Sequence, residues 1–265
     1  MPANIIVTVK QVIDPEIPLS AFKLSENAKR VEAPSGIPPV VNGFDENAVE
    51  AALRIRDTQG GTVTVISMGK EFSLDVIKKP LAMGVDELIL LEDDAFVNDI
   101  DSYFTAYVLS MAIQKLDYDL IICGRQASDW DNAQVPLGIA EILGIPCITL
   151  GRDVNASDGK VTVERNIPDG YEVLEASLPA LITVSNELGQ PRYPTLRGIM
   201  AATRRRPVVW TIDDLHLDGS QKKQRVELVN MFVPTTDKQC QFIQGEDDAE
   251  AGRKLALALR EAKLI

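Results

Sequence analysis

Between Asn4 and Gly144 the chain repeats one unit: a short apolar run rich in β-branched residues, a turn, then apolar residues at helical spacing. Asn4–Val9 precedes Asn42–Ile55, Thr62–Ser67 precedes Ser73–Met83, Glu87–Leu91 precedes Asp101–Lys115, and Leu120–Cys123 precedes Gln134–Gly144. Strands returning in the same direction roughly every 30 residues need crossover helices, and such crossovers are right-handed. The pattern therefore predicts an α/β fold, a parallel sheet with helices on both faces. Sheets of this kind bind ligands beyond the carboxyl ends of their strands, where the crossover direction reverses. Thr8–Lys10, Ser67–Gly69 and Gly124–Gln134 all lie at such ends, so one ligand can reach all three.

The stretch Asp119–Ala140 reads as strand, polar loop and helix. The first amides of a helix have no intrahelical partner and carry partial positive charge, which suits a phosphate. Asn132 and Gln134 would add side-chain donors. The alternative is an ordinary loop capped by Asp131 or Asn132. Neither G-x-G-x-x-G nor G-x-x-x-x-G-K-[ST] occurs, so phosphate binding here would use a different loop from the common ones.

The other segments are less regular. Asp14–Pro39 is long, Pro-rich and without period, a kind of loop that is usually functional or covered by a partner. Asp45 is placed to cap the helix after it, and Asp101 or Ser102 to cap the helix before Lys115. Pro80 should disturb Ser73–Met83. Beyond Cys147, Lys160–Arg165 and Tyr171–Ala176 read as an antiparallel pair over Pro168-Asp169-Gly170, and Ala180–Val184 as a buried strand. In Glu187–Met200 the glycines and prolines forbid one continuous helix, a short one beginning near Ile199. Leu196 either folds back on the core or stands exposed for a partner. Arg204-Arg205-Arg206 is either a solvated helix end or a docking patch for acidic groups. The tail brings a strand at Val208–Ile212, a polar and mobile Gly219–Arg225, an extended Val226–Pro234 and an amphipathic helix at Glu246–Ala262. Such an arm docks either on its own domain or on a second chain.

Lys plus Arg number 27 against 39 Asp plus Glu, a net charge of −12 that argues against a nucleic-acid partner. No apolar run approaches the ~20 residues of a spanning helix, so the protein is not expected to be membrane-embedded. The N-terminus opens directly on a strand, and a cytoplasmic location is expected. Cys123, Cys147 and Cys240 lie far apart, which supports neither a disulfide framework nor a metal site, and His216 alone does not make a catalytic triad. No metal and no catalytic side chain are expected.

Four segments together, VKQVID at Val9–Asp14, NGFDENAVEAALRIRD at Asn42–Asp57, GRQASDWDNAQV at Gly124–Val135 and ELGQPRYPTLRGIM at Glu187–Met200, resemble the beta subunit of electron transfer flavoproteins. The resemblance runs through essentially the whole chain. It implies a flavodoxin-like, adenine nucleotide α hydrolase-like fold with a small antiparallel section and a C-terminal arm. Residues 1–206 would form the nucleotide-binding domain, including a partner-docking loop at 187–200, and residues 207–265 the arm and helix that dock on an alpha subunit. The implied function is electron carriage: FAD at the interface with the alpha subunit takes electrons from an acyl-CoA dehydrogenase and passes them to a quinone-linked membrane oxidoreductase or another acceptor. The beta subunit of the family holds an adenine nucleotide, AMP or, in bifurcating members that oxidise NADH, a second FAD. Carried over to this chain, that site is Thr8, Lys10, Asn42, Ser67, Gly124, Asp129, Asn132, Ala133, Gln134 and Val135. The docking residues are Tyr193, Thr195, Leu196, Ile199 and Met200, with Leu196 as anchor. AMP-binding members commonly carry a hydroxyl residue where Val135 stands, which favours FAD. Asn42-Gly43-Phe44 and the form of the Asp14–Pro39 loop point away from bifurcation. A stand-alone nucleotide-binding stress module shares the sheet but would need neither Glu187–Met200 nor the arm.

Overall fold

A computed structural model describes residues 3–25, 29–32, 34–96, 101–217, 225–234 and 240–265. Strand β1 (Ala3–Thr8) is followed by the two-residue strands β2 (Gln11–Val12), β3 (Lys23–Leu24), β4 (Val31–Glu32) and β5 (Val40–Val41), then helix α1 (Gly43–Gln59). The crossovers continue with β6 (Gly61–Gly69), α2 (Leu74–Ile77), α3 (Lys79–Met83), β7 (Glu87–Glu92), α4 (Ser102–Ile113), β8 (Leu120–Gly124) and α5 (Val135–Leu143). Next come β9 (Cys147–Ser157), β10 (Lys160–Ile167), β11 (Gly170–Ser177), β12 (Ala180–Val184), α6 (Leu196–Arg204), β13 (Val208–Trp210) and α7 (Asp248–Glu261).

Nine strands make one sheet in the order β11-β10-β9-β12-β8-β1-β6-β7-β13. It is parallel from β9 to β13, and the antiparallel β10 and β11 extend one edge. The sequence looks continuously apolar in these strands because both faces are buried. Ile5 and Val7 of β1, Val63 and Val65 of β6 and Leu120 and Ile122 of β8 pack on the face covered by α1. Their neighbours Ile6, Ile66 and Ile121 point into the opposite core with Phe104, Val108 and Ile139 of α4 and α5. Each such burial contributes about 2 kcal/mol.

Several boundaries differ from the sequence reading. Lys78 interrupts the expected Ser73–Met83 helix, and Pro80 sits in the first turn of the second piece, where its missing N–H is harmless. Asp101 does cap α4, accepting from the Phe104 amide at 3.1 Å. Asp45 does not cap α1, because its side chain turns toward the sheet; Asn42 precedes the first turn instead. Of Gly219–Arg225 only Arg225 lies among the described residues.

The chain divides into two compact units, Met1–Asn230 and Met231–Ile265. The second holds α7, whose first turn is capped by Asp247 through the Glu250 amide at 2.7 Å, and none of whose residues is buried. Among the described residues no helix is long and apolar enough to cross a membrane.

Candidate functional site

From β1 the chain steps to β6 and β7 on one side, then crosses to β8 on the other, so the direction reverses between β1 and β8. The loops after these two strands form the crevice. Thr8 ends β1, paired in register with Cys123 of β8 and Ile66 of β6. Lys10 is held at both ends: its amide donates to Asp45 Oδ2 at 2.7 Å and its ammonium pairs with Asp129 at 2.7 Å. Asn42, buried at the start of α1, donates from Nδ2 to the Gln126 carbonyl at 2.8 Å and accepts from the Ser128 amide at 3.2 Å. Gln126 in turn donates to Asp131 Oδ1 at 2.7 Å.

The loop then bends sharply. Asp131 and Ala133 have φ of 52° and 53°, in the left-handed region that a Cβ disfavours. For alanine this is local strain, a condition found at binding sites more than in plain loops. It delays helix α5 to Val135, so Gln134, not Asp131 or Asn132, occupies the cap position, and no side chain caps it. Among the described residues nothing accepts from the amides of Asn132, Ala133, Gln134 or Val135. Asn132, Ala133 and Gln134 are exposed, whereas Val135 is half-buried against the α4–α5 core. Ser67, next along at the end of β6, is 1% exposed and its hydroxyl has no partner; the buried Ser128 hydroxyl has none either. Orphaned hydroxyls and unpaired amides around the end of a helix are what a bound phosphate and sugar would satisfy. The residues present therefore fit a phosphate-bearing ligand.

Ser67 shares no hydrogen bond with the rest of this set among the described residues; the other members are joined by bonds or by sequence. Sequence reasoning missed Asp45 as a member of the site. Its carboxyl is pushed up to about 7 by burial, against the opposing bonds from the Lys10 amide, the Asn42 side chain and the Gly124 amide. The signal was present: Asp45 lies three residues before Ala48 on the buried face of α1. A Cβ on Gly124 would come within 2.2 Å of Asp45 Oδ1, so this glycine is needed for close approach, not for a turn.

The second candidate surface is built around α6. Thr195 caps it, accepting from the Gly198 amide at 3.0 Å, so the helix begins at Leu196 and not at Ile199. Gly198 sits so close to α3 that a Cβ would be 2.3 Å from the Ala82 carbonyl oxygen. Leu196 is 75% exposed, Tyr193 87%, and Ile199 and Met200 about half. Leu196 therefore does not fold back on the core. Arg205 donates to the carbonyls of Val85 and Asp86 at 3.1 and 2.9 Å, so one member of the arginine run is committed to its own domain.

The segment before α6 is tied to α1. Asn47 donates to the Gly189 carbonyl at 2.7 Å and Arg54 to the Leu188 carbonyl at 3.1 Å. Arg192 reaches Glu50 at 2.8 Å and Asp57 at 2.7 Å. One helix thus carries Asn42 and Asp45 at its start and the anchors of the α6 approach along its length. Among the described residues there is no cluster of side chains able to hold a metal ion.

A family model described as the electron transfer flavoprotein domain matches residues 33–215. An electron transfer flavoprotein subunit beta from Thermoanaerobacterium thermosaccharolyticum is 41% identical over 246 residues, 91% of this chain and 92% of that one. The chain belongs to the electron transfer flavoprotein family. The beta subunit of Bacillus subtilis is 30% identical over 264 residues, 99% of this chain and 100% of its own. A protein of Acetobacterium woodii named caffeyl-CoA reductase-Etf complex subunit CarD is 37% identical over 235 residues, 87% of this chain and 89% of its own. Membership as a beta subunit brings pairing with an alpha subunit, association with flavin and a role in electron transfer.

Proposed function

We propose that this chain is the nucleotide-holding half of a heterodimeric electron carrier, and that an adenine nucleotide occupies the crevice between the ends of β1 and β8. The observation that carries this is the row of unpaired amides from Asn132 to Val135, opening α5 at the switch point of the sheet. The phosphate rests on those amides. Thr8, Lys10 and Ser67 line the crevice from β1 and β6, with Asn42, Gly124 and Asp129 shaping its floor and rim. FAD lies at the interface with the alpha subunit and supplies the redox chemistry; the protein contributes position and electrostatics.

Tyr193, Leu196, Ile199 and Met200, with Thr195 fixing the start of their helix, form the face that meets the electron donor, an acyl-CoA dehydrogenase-type flavoenzyme. A small apolar anchor on a rigid helix suits a transient encounter, in which fast release matters more than affinity. The acceptor is a quinone-linked membrane oxidoreductase or an equivalent carrier. The apolar residues around α7 contact the alpha subunit. The protein works in the cytoplasm.

A second reading is favoured by Val135, whose side chain packs on the core and offers the ligand no hydroxyl. In it the crevice holds a second FAD and the heterodimer bifurcates electrons from NADH. Denaturing the purified heterodimer and measuring FAD and AMP by chromatography separates the two. One FAD with one AMP per heterodimer makes the protein a single-flavin shuttle; two FAD select the second reading. Absence of adenine nucleotide beyond the interface FAD would remove the crevice from the mechanism.

A further inference from the structure

Asp45 lies in the first turn of α1, yet its carboxylate serves the crevice. It accepts from the Lys10 amide at 2.7 Å, just past the end of β1, and its other oxygen lies against Gly124 at the end of β8, 2.2 Å from where a Cβ there would stand. These are the two neighbouring strands between which the crossover direction reverses. The carboxylate reaches between them only because Gly124 has no side chain. Asn42, whose carbonyl accepts from the Asp45 amide at 3.0 Å, holds Gln126 and Ser128, and Lys10 extends to Asp129. One buried group thereby fixes where the loop after β1 stands relative to the loop after β8.

We propose that Asp45 is a positioning residue for the nucleotide phosphate: as a carboxylate it holds the two walls of the crevice at the separation the phosphate requires, and as a carboxylic acid it releases them. The proposal rests on the nucleotide reading above.

The chemistry follows from donors and acceptors. A carboxylate offers lone pairs on both oxygens and carries no proton. Here the Lys10 N–H donates to one oxygen, and the other stands against Gly124 at the end of β8. Protonation removes the negative charge and one lone pair, so the charge-assisted bond from the Lys10 amide weakens and the hold on the two walls slackens. Burial brings that protonation to about 7, within the neutral range. The ionisable groups around Asp45 are the Lys10 ammonium, Asp129 beyond it, the Cys123 thiol and Arg125, which lies 5.4 Å from the ring of the adjacent Phe44. Burial pushes Cys123 up to about 12, so it stays neutral and does not compete.

The test uses the intact heterodimer co-expressed with its alpha subunit. Release of adenine nucleotide from the crevice, AMP or the second FAD as chromatography identifies it, is timed during dialysis at pH 8 and pH 6, in the wild type and in Asp45→Asn. The wild type should release at least tenfold faster at pH 6. Asp45→Asn should release fast at both pH values, its residual pH dependence reporting the nucleotide's own titration, while melting no lower than the wild type at pH 8. Slow release from Asp45→Asn at pH 8, equal wild-type release at both pH values, or loss of nucleotide in step with a lowered melting temperature would overturn the proposal. Should Asp45→Asn fail to fold, the midpoint of the wild type's release against pH decides: a midpoint of about 7 supports the proposal, and one of about 6, where a phosphate monoester itself titrates, overturns it. A wild type without crevice nucleotide at either pH removes the nucleotide reading itself, and this proposal with it.

Discussion

Asp45 makes a claim on stability distinct from its claim on binding. Its folded pKa of about 7 stands above the ordinary value of 3.8, so between those values the folded chain binds more protons than the unfolded one. Stability therefore falls as pH rises through that window and is level above it. The full cost of keeping the carboxylate charged is on the order of 4 kcal/mol. Between pH 5 and pH 8 the wild type should lose about 2–3 kcal/mol that Asp45→Asn does not lose. Denaturant unfolding at the two pH values measures this, and parallel slopes in both proteins would refute it. A group that destabilises the fold where the protein works is more readily understood as serving a ligand than as serving the core. Leu196 is the opposite case, an apolar side chain that stabilises nothing in this chain because it is 75% exposed. Leu196→Ala should leave heterodimer assembly, flavin content and melting temperature unchanged. It should slow reduction by the partner dehydrogenase at least tenfold, about 1.4 kcal/mol or more, as the loss of a buried anchor does. Unaltered stopped-flow kinetics would take Leu196 out of the docking face.

At the scale of elements, α1 is the part on which both candidate surfaces depend. Its middle holds Glu50, 5% exposed, bonded to the Arg192 amide at 3.1 Å, the Arg192 guanidinium at 2.8 Å and Arg54 at 2.8 Å. Burial pushes the Glu50 carboxyl up, but the bonds from Arg192 and Arg54 outweigh it and hold the group below its usual range. With a depressed folded pKa, this contribution is present above the unfolded value of 4.5 and is lost as pH falls below it. Arg192 stands immediately before the exposed Tyr193, so the ion pairs set the approach to α6. Glu50→Ala should cost about 3 kcal/mol, since removing one partner leaves the other's bonds unmade. It should also raise backbone hydrogen exchange in the segment from 188 to 193 while leaving α4 and α5 protected. Exchange that rises everywhere alike would mean that Glu50 serves the fold as a whole and not this approach. The elements themselves were unequally legible. Strands β1, β6, β7 and β8 were plain because burial on both faces leaves unbroken apolar runs. Strand β9 was missed: Leu150 takes a φ of 61°, the pairing with β12 slips beside Gly151, and Asp153 and Asn155 favour loops. The start of α6 was read too late because Gly198 discourages helix, whereas the structure needs it there for the approach to α3. The burial of Asp45 is legible from its helical spacing to Ala48, but its role depends on Gly124, a contact far along the chain that no local window contains.

For the whole molecule, the division of the chain bears on how it meets its alpha subunit. The unit from Met231 to Ile265 contains a capped helix without one buried residue, and Phe232, Phe242, Leu255, Leu257, Leu264 and Ile265 are all exposed. A 14-residue helix with no packed face is marginal in water. Its apolar residues need a cover, and the resemblance to the beta subunits points to the alpha subunit as that cover. The unit from Met1 to Asn230 holds the whole nine-stranded sheet and both of its cores. Ending the chain at Asn230 should therefore leave a folded beta subunit with cooperative unfolding and a circular dichroism spectrum short of little more than one helix. Association with the alpha subunit should weaken at least a hundredfold, since about 3 kcal/mol is what one or two well-buried aromatic anchors contribute at an interface. Sedimentation of the co-expressed pair reads this directly. If the shortened chain still co-sediments with its partner at submicromolar concentration, the interface belongs to the sheet domain and the terminal unit has another task. If the shortened chain does not fold, the division of the molecule into two units is not a division in stability.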